Sequence, residues 1–319
     1  MTSNLSATYQ TPELNFTDYN DTDQQYNLVQ VASKQSIYLL FCVLMVIICI
    51  LGLVGNGIVI RLLGFHIKRN PFTTYILNLA VADFGVLLDL FPLVIHEIAS
   101  MLIKKQLFHL FIIPFHLFLM MYLAGQLLLT AISMDRCVTV LFPIWHRCHR
   151  PPRLSTTVCV LIWVLCFLLS GVHMILQMMT MTEILGYLFL AIALLCLPLI
   201  TVSSLILFIK ICFKSQQQRR GKLLTAILFL LFFFLILAFP LSAIWIMLSV
   251  FHFFFLSADI VLHACLVCAC LNSSINPLIY FLMAHKKRGQ SRQSMKVAMQ
   301  RVFREEENPQ EQLELSTQT

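Results

Sequence analysis

Two short strings carry most of the polar chemistry of this chain. Asp135-Arg136-Cys137 closes the third of seven long apolar stretches, and Asn276-Pro277-Leu278-Ile279-Tyr280 closes the seventh. Neither string is a catalytic constellation. Each sets polar groups at one depth of an otherwise apolar segment, where a charge is expensive and needs a local partner or a task. Asp135, adjacent to Arg136, is the expected partner, through a charge-assisted hydrogen bond. A second polar set, Asn56, Asp83, Asn272, Ser273 and Asn276, falls midway along three of the stretches. One carboxylate among amides and a hydroxyl is a hard-oxygen set. It could hold Na⁺ together with waters, or satisfy itself as a hydrated hydrogen-bond network.

The elements that must position these groups follow from composition. Of 319 residues, 59% are apolar and 12% charged, against the ~25% charge usual in soluble domains. Apolar runs of about 18 residues or more read as membrane-spanning helices. Seven such runs lie at roughly 36–62, 72–99, 107–142, 156–180, 183–212, 223–251 and 257–283. The expected fold is all-α, a seven-transmembrane helix bundle over 35–283. Residues 1–34 read as an extracellular tail. After the bundle, Met295, Met299, Val302 and Phe303 recur at helical spacing among basic residues, so 284–304 reads as a short amphipathic eighth helix on the anionic inner leaflet. The acidic, polar end 305–319 reads as disordered.

Basic residues set the orientation. Lys34 precedes the first helix and Lys104-Lys105 follow the second; the other nineteen of the 22 collect at helix ends and loops on the opposite side. Cytoplasmic loops gather Lys and Arg, which puts the N-terminus outside, in a multi-pass protein of the plasma membrane. The net charge of +7 is thereby a topology signal, and nucleic acid is not an expected partner. Sequons at Asn4, Asn15 and Asn20 sit in a first segment that has no Lys or Arg before Lys34, as an exposed lumenal segment requires.

The outer half of the bundle holds the candidate ligand residues Asp89, Glu97, Phe118, His173, Gln177, Glu183, Asp259 and His263. The acids suggest a cationic group on the ligand, while the abundant Phe and Met allow an apolar one. Phe118, eighteen residues before Arg136, adds an aromatic ring and no charge to this set. All eleven Cys lie within helices or on the basic side, and Cys265, Cys268 and Cys270 read as packing residues, with no metal site expected. Three other classes fare poorly. A retinal protein needs a Lys in its seventh helix, and 223–285 contains none. His96-Glu97-Ile98-Ala99-Ser100 lacks the second His of a zinc hydrolase. Seven unequal helices show no pair of broken repeats, as a transporter would. No enzyme activity is expected.

With these motifs in place, the chain resembles the rhodopsin-like (class A) G-protein-coupled receptors. More closely, Ala131-Ile132-Ser133-Met134-Asp135-Arg136-Cys137, followed by Ile144-Trp145-His146-Arg147-Cys148-His149-Arg150-Pro151, is similar to the Mas-related receptors, as are Arg69-Asn70-Pro71-Phe72 and Tyr75-Ile76-Leu77-Asn78-Leu79-Ala80. The resemblance implies a plasma-membrane receptor for a cationic peptide or small amphipathic agonist, coupled to a heterotrimeric G protein of the Gq or Gi type, with arrestin as a further partner. It implies G-protein coupling through Asp135, Arg136, Cys137 and Tyr280 as the sixth helix swings outward. Gly125 replaces the usual Ser near the sodium pocket, and Ala238 the usual Trp switch. Arg220 stands where an acid often locks Arg136, which predicts basal signalling; the alternative is a loop arginine that binds lipid phosphate. The family's two Cys around the second outer loop are missing, and acids that some members use on helices four and five appear as His173 and Gly186. A receptor-like protein that binds a ligand or partner without signalling is the alternative.

Overall fold

The apolar stretches fold as helices because a backbone in lipid must satisfy every N–H and C=O within its own segment. A computed structural model describes residues 16–67, 69–103, 112–142, 144, 148–151, 153–179, 183–213, 229, 232–233, 236–237, 239–249 and 258–285. Among the described residues the elements are α1 (Phe16–Phe65), α2 (Pro71–Ile103), α3 (Ile112–Leu141), α4 (Leu154–Met178), α5 (Glu183–Phe213), α6 (Phe239–Ser249) and α7 (Ala258–His285). Five of these contain stretches long and apolar enough to cross a membrane. The expected eighth helix and terminal tail, 284–304 and 305–319, lie outside the described residues save for its first two positions. So do Arg220, Ala238 and the side chains of Asn4, Asn15, Asn20, Gln177, Glu183, Gly186 and Asp259.

The chain divides into two units, Met1–Leu40 and Phe41–Thr319. In the first, α1 begins at Phe16 instead of near residue 36, so helix replaces part of the expected tail. No Gly or Pro occurs between Phe16 and Leu51 to stop it. In the second unit, α3 is central and packs against α2, α4 and α5. Large apolar side chains point away from the bundle, Phe167 being 69% exposed and Leu51 68%, while Asn56, Asp83, Ser133 and Asn276 are buried. That inversion of the soluble pattern is what lipid demands, since tails are as apolar as Leu and polar groups must find each other between helices.

Local chemistry sets the helix starts and tolerates the prolines. Asn70 caps α2: its Oδ1 accepts from the Thr73 N–H at 2.7 Å, and Thr73 Oγ1 accepts from the Asn70 N–H at 2.8 Å. Pro71 occupies the first helical position, where no N–H is needed. α7 runs unbroken through Pro277. Proline cannot donate to the carbonyl four residues back, here Ser273. Asn56 Nδ2 donates to that freed carbonyl at 2.9 Å and to Gly52 O at 3.0 Å. One side chain of α1 thus completes the ladder of α7.

Candidate functional site

Arg136 lies near the end of α3 and is only 5% exposed, with its guanidinium carbon 4.1 Å from the centroid of the Phe72 ring. Phe72 belongs to the first turn of α2, the turn that Asn70 caps. A guanidinium over an aromatic face gains about 0.5–2 kcal/mol, more as water is excluded. Asp135 is not bound as expected. Its Oδ1 accepts from Arg150 Nη2 at 2.6 Å, and the same nitrogen donates to Ser155 Oγ at 2.8 Å. The reason is helical geometry: neighbours i and i+1 leave the helix on different faces and pair only after a rotamer change. Arg136 turns inward and Asp135 turns toward the chain that leads into α4. Cys137 and Tyr280 are buried at the same end of their helices.

About three helical turns back along α3 from Arg136, beside Gly125, is the midplane set. Asn276 Nδ2 donates to Asp83 Oδ2 at 2.6 Å, and Asp83, Asn272, Ser273 and Asn276 are all buried. Asn56 joins them through the Ser273 carbonyl. A Cβ added at Gly125 would come into ordinary van der Waals contact with Asp83 Oδ1, at 4.0 Å. That carboxylate oxygen therefore lies beside α3. A carboxylate among amide and hydroxyl oxygens suits a monovalent cation whose remaining ligands are water; among the described residues no three His, Cys, Asp or Glu side chains converge on a metal. Gly125→Ser should place a hydroxyl beside Asp83 Oδ1. The expected result is a larger rise in unfolding temperature on exchanging choline chloride for NaCl at equal ionic strength than the native chain shows, read in detergent by a thiol-reactive dye. An unchanged difference would mean that no sodium ion binds beside Asp83.

Near the midplane level α3 is joined to α6, and nearer Arg136 it is joined to α5. Gln126 Nε2 donates to Ser242 Oγ at 3.1 Å, and the Tyr122 hydroxyl lies 3.4 Å from the same oxygen. Ser133 and Ser203 hydroxyls meet between α3 and α5. On the other flank Trp163 Nε1 donates to Asn78 Oδ1 at 2.9 Å, fixing α4 against α2.

Toward the opposite end, the candidate ligand residues make mostly local contacts. Phe118 is buried and stacks on Tyr122, with centroids 5.8 Å apart. His173 stacks on His116 across α4 and α3 at 4.7 Å, and Ser170 Oγ donates to the His116 carbonyl at 3.0 Å. Asp89 is half-buried, and one of its carboxylate oxygens has no hydrogen-bond partner among the described residues. Glu97 and His263 are half-buried.

Sequence reasoning missed Arg150, Phe72, His116, Gln126 and Ser242. Arg150 read as one more basic loop residue, and no local signal tied it to a carboxylate fifteen positions away. Gln126 and Ser242 are single polar residues in apolar runs. Their isolation was the available clue, because a lone polar side chain in lipid needs a partner on another helix.

Comparison with known proteins agrees with the geometry. The model of the 7 transmembrane receptor (rhodopsin family) matches residues 55–280. The chain is similar to Proto-oncogene Mas of Rattus norvegicus, 34% identical over 82% of this chain and 83% of that protein. It is similar to Mas-related G-protein coupled receptor member D of Macaca fascicularis, 34% identical over 81% and 83%. Member H of Rattus norvegicus is 35% identical over 81% and 82%.

Proposed function

Because the chain belongs to the rhodopsin-family seven-transmembrane receptors and, among them, to the Mas-related group, we propose that it binds an extracellular ligand and activates heterotrimeric G proteins through outward movement of its sixth helix. It is a multi-pass membrane receptor and not an enzyme. The observation that carries the coupling reading is Arg136, buried over Phe72 at the end of α3. A cation held there has been withdrawn from water and can be presented when the neighbouring helix moves. Opening is a shift between two states, and a ligand acts by binding one of them better.

The basic-residue asymmetry supports an extracellular N-terminus, with Asn4, Asn15 and Asn20 as glycan acceptors. Asp89 supports a ligand carrying a cationic group, since its unpartnered carboxylate oxygen lies within the bundle. A cationic peptide or small amphipathic molecule has that chemistry, and the family supports Gq or Gi as transducer and arrestin as a further partner. Arg220 supports basal activity through repulsion of Arg136. The test is activation of each of the four Gα families in cells, read as subunit dissociation against mock-transfected cells. Activation above mock is expected in at least one family. Silence in every family, at full surface expression and with cationic peptides added, would favour a receptor-like binder that does not signal.

Helix-six movement carries its own expectation. The Gln126–Ser242 hydrogen bond spans α3 and α6 and must stretch as α6 leaves. Interhelical bonds of this kind contribute about 0.6–2 kcal/mol in a membrane, which converts to roughly three- to thirtyfold in a two-state ratio when RT is about 0.59 kcal/mol. Gln126→Leu should therefore raise basal activation severalfold without loss of surface receptor. A fall in basal activation would place the bond in the active state instead.

A further inference from the structure

We propose that Arg150 is the positioning residue of the coupling site, taking the charge of Asp135 so that Arg136 remains seated on Phe72. The ion pair is short, 2.6 Å, and nearly dry, with side chains 10% and 8% exposed. Ser155, in the first turn of α4, accepts from the same guanidinium nitrogen and fixes its approach. Arg150 also precedes Pro151, whose ring restricts the backbone of the residue before it to extended conformations. The arginine is thus presented from a stiff turn between α3 and α4. Its planar head can serve a carboxylate and a hydroxyl at once, which a lysine cannot do in one fixed geometry.

The consequence concerns the neighbouring arginine. Asp135 is the nearest acid to Arg136 in the chain, and a carboxylate in so dry a place must be neutralised by some cation. While Arg150 does so, Asp135 does not compete with Phe72 for Arg136. Remove Arg150 and the carboxylate draws Arg136 off the Phe72 ring into the adjacent pair, at the cost of a rotamer change. Coupling then falls because the cation is held, and it returns when the carboxylate is neutralised. A merely structural salt bridge predicts the opposite for the double variant, which would then be at least as impaired as either single one.

The experiment has two arms, and the second rests on the G-protein coupling proposed above. In the first, the purified full-length receptor is unfolded thermally as two double-mutant cycles, Asp135→Asn with Arg150→Ala and Asp135→Asn with Arg136→Ala. The expected result is strong non-additivity in the first cycle, the double variant melting no lower than the worse single one, and near-additivity in the second. Coupling to Arg136 in place of Arg150 would overturn the proposal whether or not the receptor signals. In the second arm, Arg150→Ala at matched surface expression should lower G-protein activation severalfold, and Arg150→Ala/Asp135→Asn should restore it. Absence of rescue, with the native receptor active, would overturn the positioning role. A native receptor silent in all Gα families with the first cycle coupled would instead fail the coupling reading alone.

Discussion

Arg136→Ala is expected to bring G-protein activation to the level of mock-transfected cells in every Gα family, at a surface expression matched to the native chain. The size of the effect follows from where the side chain sits. It is one of few described cations inside the bundle, it is buried against Phe72, and opening of helix six is the event that would expose it. Alanine deletes the group that would be presented, so no redistribution between states can compensate; a ligand shifts an equilibrium only by its differential affinity. Arg136→Lys separates charge from shape. Lysine keeps the charge but loses the flat stack on Phe72 and the fork of donors, and should retain a fraction of the activation. Full activity in the alanine variant would remove Arg136 from the coupling site and with it the main support for the proposed mechanism.

The second large effect is on folding and arises where α1 meets α7. A Cβ added at Gly52 would lie 2.5 Å from Leu87 Cδ1 and 2.9 Å from Ser274 Cβ, with Ser274 Oγ closer still. Ser274 cannot simply rotate away without loss, since its hydroxyl donates to the Ile48 carbonyl at 3.1 Å. The Gly52 carbonyl is also one of the two acceptors of Asn56 Nδ2. Gly52→Val must therefore push the helices apart just where Asn56 closes the gap left by Pro277. Overpacking alone costs about 1–3 kcal/mol, and a lost bridge to the Ser273 carbonyl adds about 1–3 kcal/mol for an unsatisfied buried acceptor. Surface receptor should fall to a small fraction of the native amount, measured with an epitope tag on intact cells. Gly64→Val is the control: a Cβ there meets nothing within 4 Å among the described residues, and expression should be native. Equal expression of the two variants would show that α1 and α7 are free to separate.

Periodicity and composition decided a great deal without any contact being known. A run of apolar residues long enough to span a bilayer has essentially one conformation open to it, because unpaired backbone groups in lipid cost several kcal/mol each. Hence the expected spans agree with α2, α4 and α7 to within a few residues. The edges went astray where apolarity is not what ends a helix: α1 continues back to Phe16 through polar residues, since polar side chains do not terminate a helix without a Gly, a Pro or a cap. Pro277 does not end α7 either. Whether a proline breaks a membrane helix depends on who takes the freed carbonyl, and Asn56 lies 217 residues from Ser273.

The functional groups divide along the same line. That Arg136, Asp83 and Asn276 must be kept from lipid follows from their charge or polarity and their depth in apolar runs, and so is written in the sequence. Which group keeps each of them is not. Asp135 was the obvious partner of Arg136 by adjacency, yet consecutive helical residues diverge, and Arg150 takes the carboxylate while Phe72 takes the guanidinium. Asn276 reaches Asp83, Gln126 reaches Ser242, and His116 stacks on His173, all across helices. One sequence prices each polar residue against lipid individually; the pairing that offsets the cost depends on helix rotation and approach, and only the packed bundle decides those.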